Sequence, residues 1–350
     1  MPGLVERLAV APAIPLAWQA SLDESAVSVD WSASGPWLAA VSASGTVCLF
    51  DAASGTCVQQ LSAHKSGATQ VAWHPLDARF ATAGQDGSVR VWDATRDGLV
   101  KELDCGALWV EHIAWSDNGR LLATAAGRTL KVWTKEGELV REYPLHSHTI
   151  AAIAWQSDSE NLVSACYGQL QFWMPDRSEA VRTFSWKGSM LSLAWSPDGR
   201  YLCHGNQDAT VHFWIVKTGK DLQMWGYPTK VRELAWDHRS RYLATGGGSS
   251  ITVWDCSGKG PANTKPAVLK FHQAPVSCFA YQNHGGALVS GCDQGQLALW
   301  KPRKRTEPAA VAVLPAAISC VAWSPDDGMI ATGAEDGSVA VFHNPDRTAS

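Results

Sequence analysis

The residues with the clearest potential for chemistry are two histidines separated by a single serine, His146 and His148. Imidazole nitrogens are common zinc ligands, so this pair could offer two bonds to one metal ion. Protein zinc sites use three or four ligands, however, and neither a cysteine nor a carboxylate follows the pair at ligand spacing. The chain also lacks a G-x-S-x-G elbow, a P-loop, a dinucleotide-binding fingerprint and an H-E-x-x-H motif. We therefore expect no metal site, no cofactor and no catalytic activity.

The nine cysteines indicate a reducing compartment. Their number is odd, they form no C-x-x-C pair, and most of them fall within apolar, strand-like runs. A disulfide framework or a structural zinc site would require a different arrangement. We expect reduced, mostly buried thiols in a cytoplasmic protein.

The charge of the chain gives little support for a nucleic-acid or membrane partner. Its 29 Lys and Arg and 33 Asp and Glu give a formal net charge of −4, so no overall positive field attracts nucleic acid or anionic lipid. No apolar run approaches the roughly 18 residues of a membrane-spanning helix. One basic run, Lys301–Arg305, stands out. A solvated loop, a small electrostatic patch and a nuclear-localisation-like signal all remain possible interpretations of this run.

Tryptophan is the most unusual part of the composition, with 18 Trp against 8 Phe and 6 Tyr. Thirteen of the tryptophans belong to two series that recur every 40–46 residues, and such self-similarity indicates a repeat protein. The first series ends a short apolar run, usually as Ala-Trp, and consists of Trp31, Trp73, Trp115, Trp155, Trp195, Trp236, Tyr281 and Trp323. The second series follows the first by about 20 residues, and consists of Phe50, Trp92, Trp133, Trp173, Trp214, Trp254, Trp300 and Phe342.

Each repeat unit contains the same succession of short segments. The second unit has strand-like runs at 68–73, 79–83 and 88–93, and a less regular fourth run near 99–103. A tight turn, Gly84–Gly87, separates the second run from the third. Short strands bounded by turns every 8–12 residues predict an all-β fold.

The repeat resembles that of the WD40 family, in which a unit of 40–45 residues forms one four-stranded blade of a β-propeller. The Trp-Asp pair of that family stands at Trp92-Asp93 and Trp254-Asp255. The turn after the first strand stands at Ser196-Pro-Asp-Gly199 and, with one extra residue, at Ser324-Pro-Asp-Asp-Gly328. The resemblance covers nearly the whole chain, and it implies a platform that binds other proteins or peptides.

Eight complete units predict an eight-bladed β-propeller of four-stranded antiparallel blades. A fourth strand can be placed after units one to seven, but the chain ends soon after Phe342. We predict that 15–20 supplies the missing strand by pairing with the last blade, which closes the ring and removes an exposed sheet edge. The expected organisation is an N-terminal extension (1–14), a single propeller domain (15–343) and a C-terminal tail (344–350).

The resemblance also implies a buried hydrogen-bond chain within a blade, formed by a histidine, a hydroxyl, a tryptophan and an aspartate. The second unit has all four members: His64, Thr82, Trp92 and Asp86. Units three, four and six lack the aspartate, and unit five has His204 in place of the hydroxyl. We expect those blades to be held mainly by apolar packing, and we assign His64 and Asp86 a structural role rather than a catalytic one.

The loops before three of the first strands carry the aromatic residues that the repeat leaves unexplained. These loops are 107–112, 185–190 and 224–233. Trp, Tyr and Arg are enriched at binding hot spots, so we predict a partner-binding site made of Trp109, Glu111, His112, Trp186, Trp225, Tyr227, Arg232 and Glu233. This hypothesis predicts that Trp109, Trp225 and Tyr227 are partly exposed and clustered. Alternatively, Trp186 and Trp225 fill the space that other blades give to the structural histidine.

The sequence therefore favours a non-catalytic scaffold that binds a protein or peptide through loops on one face of the propeller. A second hypothesis is a ligand or metal site in the central channel. A third is a substrate-receptor subunit of a larger enzyme complex, which the sequence does not separate from the first.

Overall fold

The computed structural model describes residues 11–96, 98–106, 109–258, 260–262 and 264–347. Within these residues the strands form eight separate four-stranded antiparallel sheets, which are the blades of a propeller. The predicted all-β fold and the number of blades are therefore confirmed. Residues 1–10 of the predicted N-terminal extension, Ala107 and Leu108 of the first aromatic loop, and residues 348–350 of the predicted tail lie outside the described residues.

The strands follow one another in the same order in every blade. β1 (Leu16–Ser21) precedes blade 1, which contains β2 (Ala26–Trp31), β3 (Trp37–Ser42), β4 (Thr46–Asp51) and β5 (Cys57–Ser62). Blade 2 contains β6 (Ala68–Trp73), β7 (Arg79–Gly84), β8 (Ser88–Asp93) and β9 (Leu99–Asp104). Blade 3 contains β10 (Val110–Trp115), β11 (Leu121–Ala126), β12 (Thr129–Thr134) and β13 (Leu139–Glu142). Blade 4 contains β14 (Ile150–Trp155), β15 (Leu162–Cys166), β16 (Gln169–Trp173) and β17 (Arg182–Ser185).

The second half of the ring has the same pattern, with shorter strands in blade 6. Blade 5 contains β18 (Met190–Trp195), β19 (Tyr201–Asn206), β20 (Val211–Ile215) and β21 (Lys220–Met224). Blade 6 contains β22 (Leu234–Trp236), β23 (Tyr242–Thr245), β24 (Ser250–Asp255) and β25 (Ala267–Lys270). Blade 7 contains β26 (Val276–Tyr281), β27 (Leu288–Cys292), β28 (Gln296–Trp300) and β29 (Ala310–Val313). Blade 8 contains β30 (Ile318–Trp323), β31 (Met329–Ala334), β32 (Ser338–His343) and β1.

The N-terminal strand closes the ring, as predicted. β1 pairs antiparallel with β32, from Leu16 opposite Phe342 to Ser21 opposite Ser338. Trp18 is buried at this closure, and its indole Nε1 donates a hydrogen bond to the carbonyl oxygen of Ala52 in blade 1 (2.9 Å). The last blade is thus completed by the first strand and tied directly to the blade beside it.

The Ala-Trp motif at the end of the innermost strands joins neighbouring blades. In five blades the indole reaches across to the innermost strand of the preceding blade, where Nε1 donates to a main-chain carbonyl oxygen. Five such bonds, of 2.9–3.2 Å, run from Trp31 to Ala322, Trp73 to Asp30, Trp115 to Ala72, Trp155 to Ala114, and Trp323 to Ala280. At the corresponding positions in blades 5 to 7, the buried polar atoms of Trp195, Trp236 and Tyr281 have no hydrogen-bond partner among the described residues. The repeated tryptophans of the first series therefore have a structural function.

Most tryptophans of the second series belong to buried hydrogen-bond chains within the blades, whereas the indole nitrogen of Trp214 is buried without a partner among the described residues. In blades 2, 4 and 7 a hydroxyl oxygen accepts the indole N–H and lies 2.7–2.9 Å from a histidine Nε2. These chains are His64–Thr82–Trp92, His146–Ser164–Trp173 and His272–Ser290–Trp300. In blade 2, His64 Nδ1 also lies 3.0 Å from Asp86 Oδ1. A Cβ at Gly84 would lie 2.1 Å from that Nδ1, so glycine is required there.

Blades 4 and 6, which lack the aspartate, pack through apolar clusters and also contain buried polar connections. In blade 4 the pair of bonds to Ser164 forms without an aspartate, because His146 contacts the hydroxyl through Nε2, as His64 does in blade 2. In blade 6 a tyrosine replaces the histidine, as described below. Blade 3 has a weaker chain, in which Cys105 Sγ lies 3.5 Å from Thr124 Oγ1 and Trp133 Nε1 donates to the same oxygen. Alternative polar groups therefore preserve the buried connection.

Candidate functional site

The aromatic loops singled out in the sequence all lie on the same side of the ring. They precede the innermost strands, and so they share a side with the turns between the second and third strands. We call this side the top face and the opposite side the bottom face. Loops on the top face are held at both ends by strands of neighbouring blades, so the propeller presents their side chains on a rigid frame.

Trp225 is the most exposed large aromatic residue of the loops, with 75% of its surface accessible. It directly follows β21, at the top of a groove between blades 5 and 6. The groove has a volume of about 380 Å³ and is lined by Leu222, Gln223, Met224, Trp225, Trp254, Pro261, Ala262 and Thr264. Most of these side chains are apolar, so the groove could accept an apolar side chain.

Tyr227, two residues further along, is turned into the blade instead. Its hydroxyl accepts a hydrogen bond from Trp254 Nε1 (2.9 Å) and lies 2.8 Å from Thr245 Oγ1. Burial raises the pKa of Tyr227 to about 12. Tyr227 thus replaces the histidine of the other blades and supports the loop that carries Trp225. The suggestion that Trp225 itself fills the histidine space is wrong, because Tyr227 fills it.

Trp186 has the corresponding position in blade 5 and is half-buried. Its ring centroid lies 3.8 Å from that of His212 and 6.5 Å from that of His204. The indole nitrogen is buried without a partner among the described residues. This environment fits the alternative that Trp186 fills the space of a structural histidine.

Trp109 lies on another part of the top face and is 55% exposed. It lines a depression of about 300 Å³ with Glu111, Gly127 and Thr149. These lining residues come from blades 3 and 4, whereas the groove at Trp225 lies between blades 5 and 6. Trp109 and Trp225 are therefore both exposed, but they line separate depressions.

Two further exposed apolar residues lie on the top face, and neither was among the predicted site residues. Leu145 lies in the loop before β14, and Tyr167 lies in the turn between β15 and β16; both are exposed. The ring of His148 packs against that of Tyr167, with 5.1 Å between centroids. The sequence signal was available for Tyr167, because a tight turn of this kind usually carries small or polar residues.

The four charged candidates lie on or beside the innermost strands. Glu111 and His112 belong to β10, and Arg232 and Glu233 directly precede β22. Burial raises the pKa of Glu111, lowers that of His112 to about 4 and raises that of Glu233 to about 7. At neutral pH His112 is therefore uncharged, and Glu233 is only partly ionised. Glu111 and Arg232 are exposed and contribute the charge at this end of the channel.

The two histidines considered for a metal site are directed to different surroundings. His146 is buried on Ser164, whereas His148 is exposed beside Tyr167. Among the described residues, no three His, Cys, Asp or Glu side chains come together in a way that could hold a metal ion. The part of the chain that the structure describes also contains no helix of sufficient length and apolarity to cross a membrane.

Several known proteins are similar in sequence to parts of this chain. The chain is 26% identical to autophagy-related protein 16 of Arabidopsis thaliana over 47% of this chain and 33% of that protein. It is 30% identical to the Xenopus tropicalis homologue of U3 small nucleolar RNA-associated protein 15, over 36% and 25% respectively. It is 28% identical to the small ribosomal subunit protein RACK1y of Oryza sativa subsp. japonica, over 45% and 37%. The matched segments thus span about a quarter to a third of the first two relatives.

Comparison with solved structures and with protein families agrees with the fold. The crystal structure of the computationally designed protein Ika8 superimposes with a TM-score of 0.82 at 19% identity, covering 95% of this chain and all of that one. The family described as WD domain, G-beta repeat matches residues 19–51, 55–93, 99–134, 137–173, 178–214, 219–255, 263–301 and 310–343. Each of these eight segments contains the fourth strand of one blade and the first three strands of the next. Because together they cover most of the chain, the chain belongs to the WD40 repeat family.

Proposed function

We propose that this chain is a non-catalytic scaffold in the cytoplasm that binds another protein or peptide through the top face. One observation carries the proposal. Two tryptophans that the repeat does not use, Trp109 and Trp225, stand exposed at the edges of separate depressions on a rigid frame. Each blade already has its own buried tryptophan, so neither exposed ring is required for the fold.

The chemistry of these side chains suits a protein partner. Tryptophan is enriched among residues whose truncation weakens an interface most, since one ring buries a large apolar area. Tyr227 and the buried hydrogen bonds of blade 6 hold the loop that carries Trp225. Binding would therefore cost less conformational entropy. The eight candidate residues divide accordingly: Trp109, Trp225, Glu111 and Arg232 offer exposed contacts. His112, Trp186, Tyr227 and Glu233 support them from partly buried positions.

The relatives support a role within larger assemblies. The name of one relative associates it with the small ribosomal subunit, and the name of another associates it with U3 small nucleolar RNA. By analogy, we propose that the chain contributes a recognition surface to a complex. We propose a protein rather than a nucleic acid as the direct partner, because the net charge is −4.

The double substitution Trp109→Ala and Trp225→Ala tests this proposal. We expect recovery of the bound partners to fall roughly tenfold or more, because hot-spot truncations cost about 2 kcal/mol or more each. The free energy of unfolding is expected to stay within about 0.5 kcal/mol, since both side chains are exposed. Partners captured by the tagged chain in cells would be quantified by mass spectrometry, and stability would be measured by urea denaturation.

The matched control is Leu76→Ala, which truncates a side chain that is 66% exposed in the first turn of blade 2, on the bottom face. This variant is expected to recover the same partners in the same amounts as the unmodified chain. Equal recovery by the tryptophan double variant, or an equal loss with Leu76→Ala, would reject the top face as the binding surface.

A further inference from the structure

The basic run that follows β28 forms one wall of a depression on the bottom face. Its backbone turns sharply, because the amide nitrogens of Lys304 and Arg305 both donate to the carbonyl oxygen of Lys301 (2.8 and 3.1 Å). The depression has a volume of about 520 Å³ and is lined by Gln282, Gly286, Ala287, Lys301, Arg303, Lys304 and Asp346. Three cations therefore line the same cavity, at the boundary between blades 7 and 8.

Two contacts within the protein fix the positions of Arg303 and Lys301. The guanidinium of Arg303 lies 5.4 Å from the ring centroid of Tyr242 in blade 6, within the range of a cation–π contact. The stem of Arg303 passes over Gly286, where a Cβ would lie 3.9 Å from its Cδ. On the other side of the depression, Lys301 Nζ lies 2.5 Å from Asp346 Oδ1. The arrangement is thus more ordered than a solvated run of lysines.

The position of Asp346 indicates which type of ligand the depression can bind. It belongs to the segment after β32, 45 residues from Lys301, and the packing of blade 8 beside blade 7 brings its carboxylate to the cations. Within the part of the chain that the structure describes, Arg303 and Lys304 have no carboxylate within ion-pairing distance. One internal carboxylate therefore faces three cations, and the surplus positive charge favours a second oxyanion.

We propose that this depression is a second binding site, separate from the top face, for an acidic peptide segment of another protein. The side chains recognised there carry oxyanions, which are the carboxylates of Asp and Glu or the phosphate of a phosphorylated serine or threonine. A peptide fits better than RNA, because the described lining contains no aromatic ring on which bases could stack. A second depression on the bottom face, lined by Asp117, Asn118, Asp158, Ser159 and Glu160, would repel an RNA strand that crosses this face.

Fluorescence anisotropy with labelled synthetic peptides tests the proposal on the full chain. Four probes of equal length would be compared: a phosphoserine peptide, an Asp/Glu-rich peptide, a neutral peptide, and an RNA oligonucleotide matched in charge to the acidic peptide. We expect at least one anionic peptide to bind more tightly than the neutral peptide, with an affinity that falls as salt concentration rises. The relative affinity of the two anionic peptides identifies the preferred oxyanion.

Three variants separate this site from general electrostatic attraction. Arg303→Glu with Lys304→Glu is expected to weaken anionic peptide binding roughly tenfold or more. Arg96→Glu with Arg177→Glu makes the same change in net charge on other bottom-face loops and is expected to leave binding nearly unchanged. Asp346→Asn removes the competing internal carboxylate and is expected to strengthen binding. The proposal would be overturned if Arg303→Glu with Lys304→Glu bound the anionic peptides as tightly as Arg96→Glu with Arg177→Glu does. It would also be overturned if the RNA bound more tightly than either anionic peptide.

Discussion

Replacing Trp18 by alanine is expected to lower the free energy of unfolding by about 3–5 kcal/mol, the usual cost of truncating a large buried aromatic side chain. The indole packs against Phe50 with 5.7 Å between ring centroids, and its Nε1 is bonded to Ala52. Both contacts join blade 8 to blade 1, so the substitution loosens the interface at which β1 closes the ring. Urea denaturation of the variant and of the unmodified chain measures the difference.

The same strand supplies the control for this prediction. Leu16 also belongs to β1, but it is 53% exposed, so Leu16→Ala is expected to change the free energy of unfolding by less than about 0.5 kcal/mol. A Trp18→Ala variant as stable as Leu16→Ala would show that the ring does not depend on the closure described above.

The second large effect expected is a loss of stability in mild acid. The pKa of several histidines is lowered by burial, to about 4 for His112, His146 and His272 and to about 3 for His204. Because these folded-state values lie below the ordinary 6.5, the neutral forms stabilise the fold above pH 6.5. That stability is lost progressively as the pH falls from 6.5 towards 4, since the unfolded chain binds the protons more tightly.

Two buried carboxyl groups act in the opposite direction. Burial raises the pKa of Asp30 to about 6 and that of Glu233 to about 7, so their protonation favours the folded state as the pH falls. The four histidines outnumber these two carboxyls, and burial also lowers the pKa values of His64, His74 and His212. The free energy of unfolding is therefore expected to fall as the pH decreases below 6.5, by about 1.4 kcal/mol per pH unit for each additional proton that the unfolded chain binds.

Urea midpoints measured between pH 4.5 and 7.5 test this expectation. Replacing His272 by glutamine is expected to reduce the slope of stability against pH by about 1.4 kcal/mol per unit, whatever its effect on stability at pH 7. His148→Gln, at an exposed position, is the matched control and is expected to leave the slope unchanged. A stability that does not change between pH 4.5 and 6.5 would contradict the assignment of these buried, neutral histidines.

The architecture was predictable because every blade buries the same positions. Most tryptophans of the first series contact the preceding blade, and most of the second series contact a hydroxyl in their own blade. Both series recur at a nearly fixed interval, which can be seen in the sequence alone. The closing strand was predictable for a related reason. Unit eight lacked a fourth strand, and 15–20 was the strand-like segment left over at the other end of the chain.

The details of the surface were harder to predict, since they depend on which of two nearby side chains turns inwards. Trp225 and Tyr227 are both aromatic and lie in one loop, yet only Tyr227 has a hydroxyl that can serve both Trp254 and Thr245. The site at Lys301 depends on Asp346, a contact between neighbouring blades whose residues are 45 positions apart in the chain. Neither contact leaves a periodic signal in the sequence.

Hydrogen–deuterium exchange of the chain with and without a captured protein partner tests most directly whether the top face is the binding surface. Bound partner is expected to slow amide exchange in the peptides that contain Trp109 and Trp225, and to leave the turn that contains Leu76 unchanged. Protection confined to bottom-face turns, with no change around either tryptophan, would contradict the account.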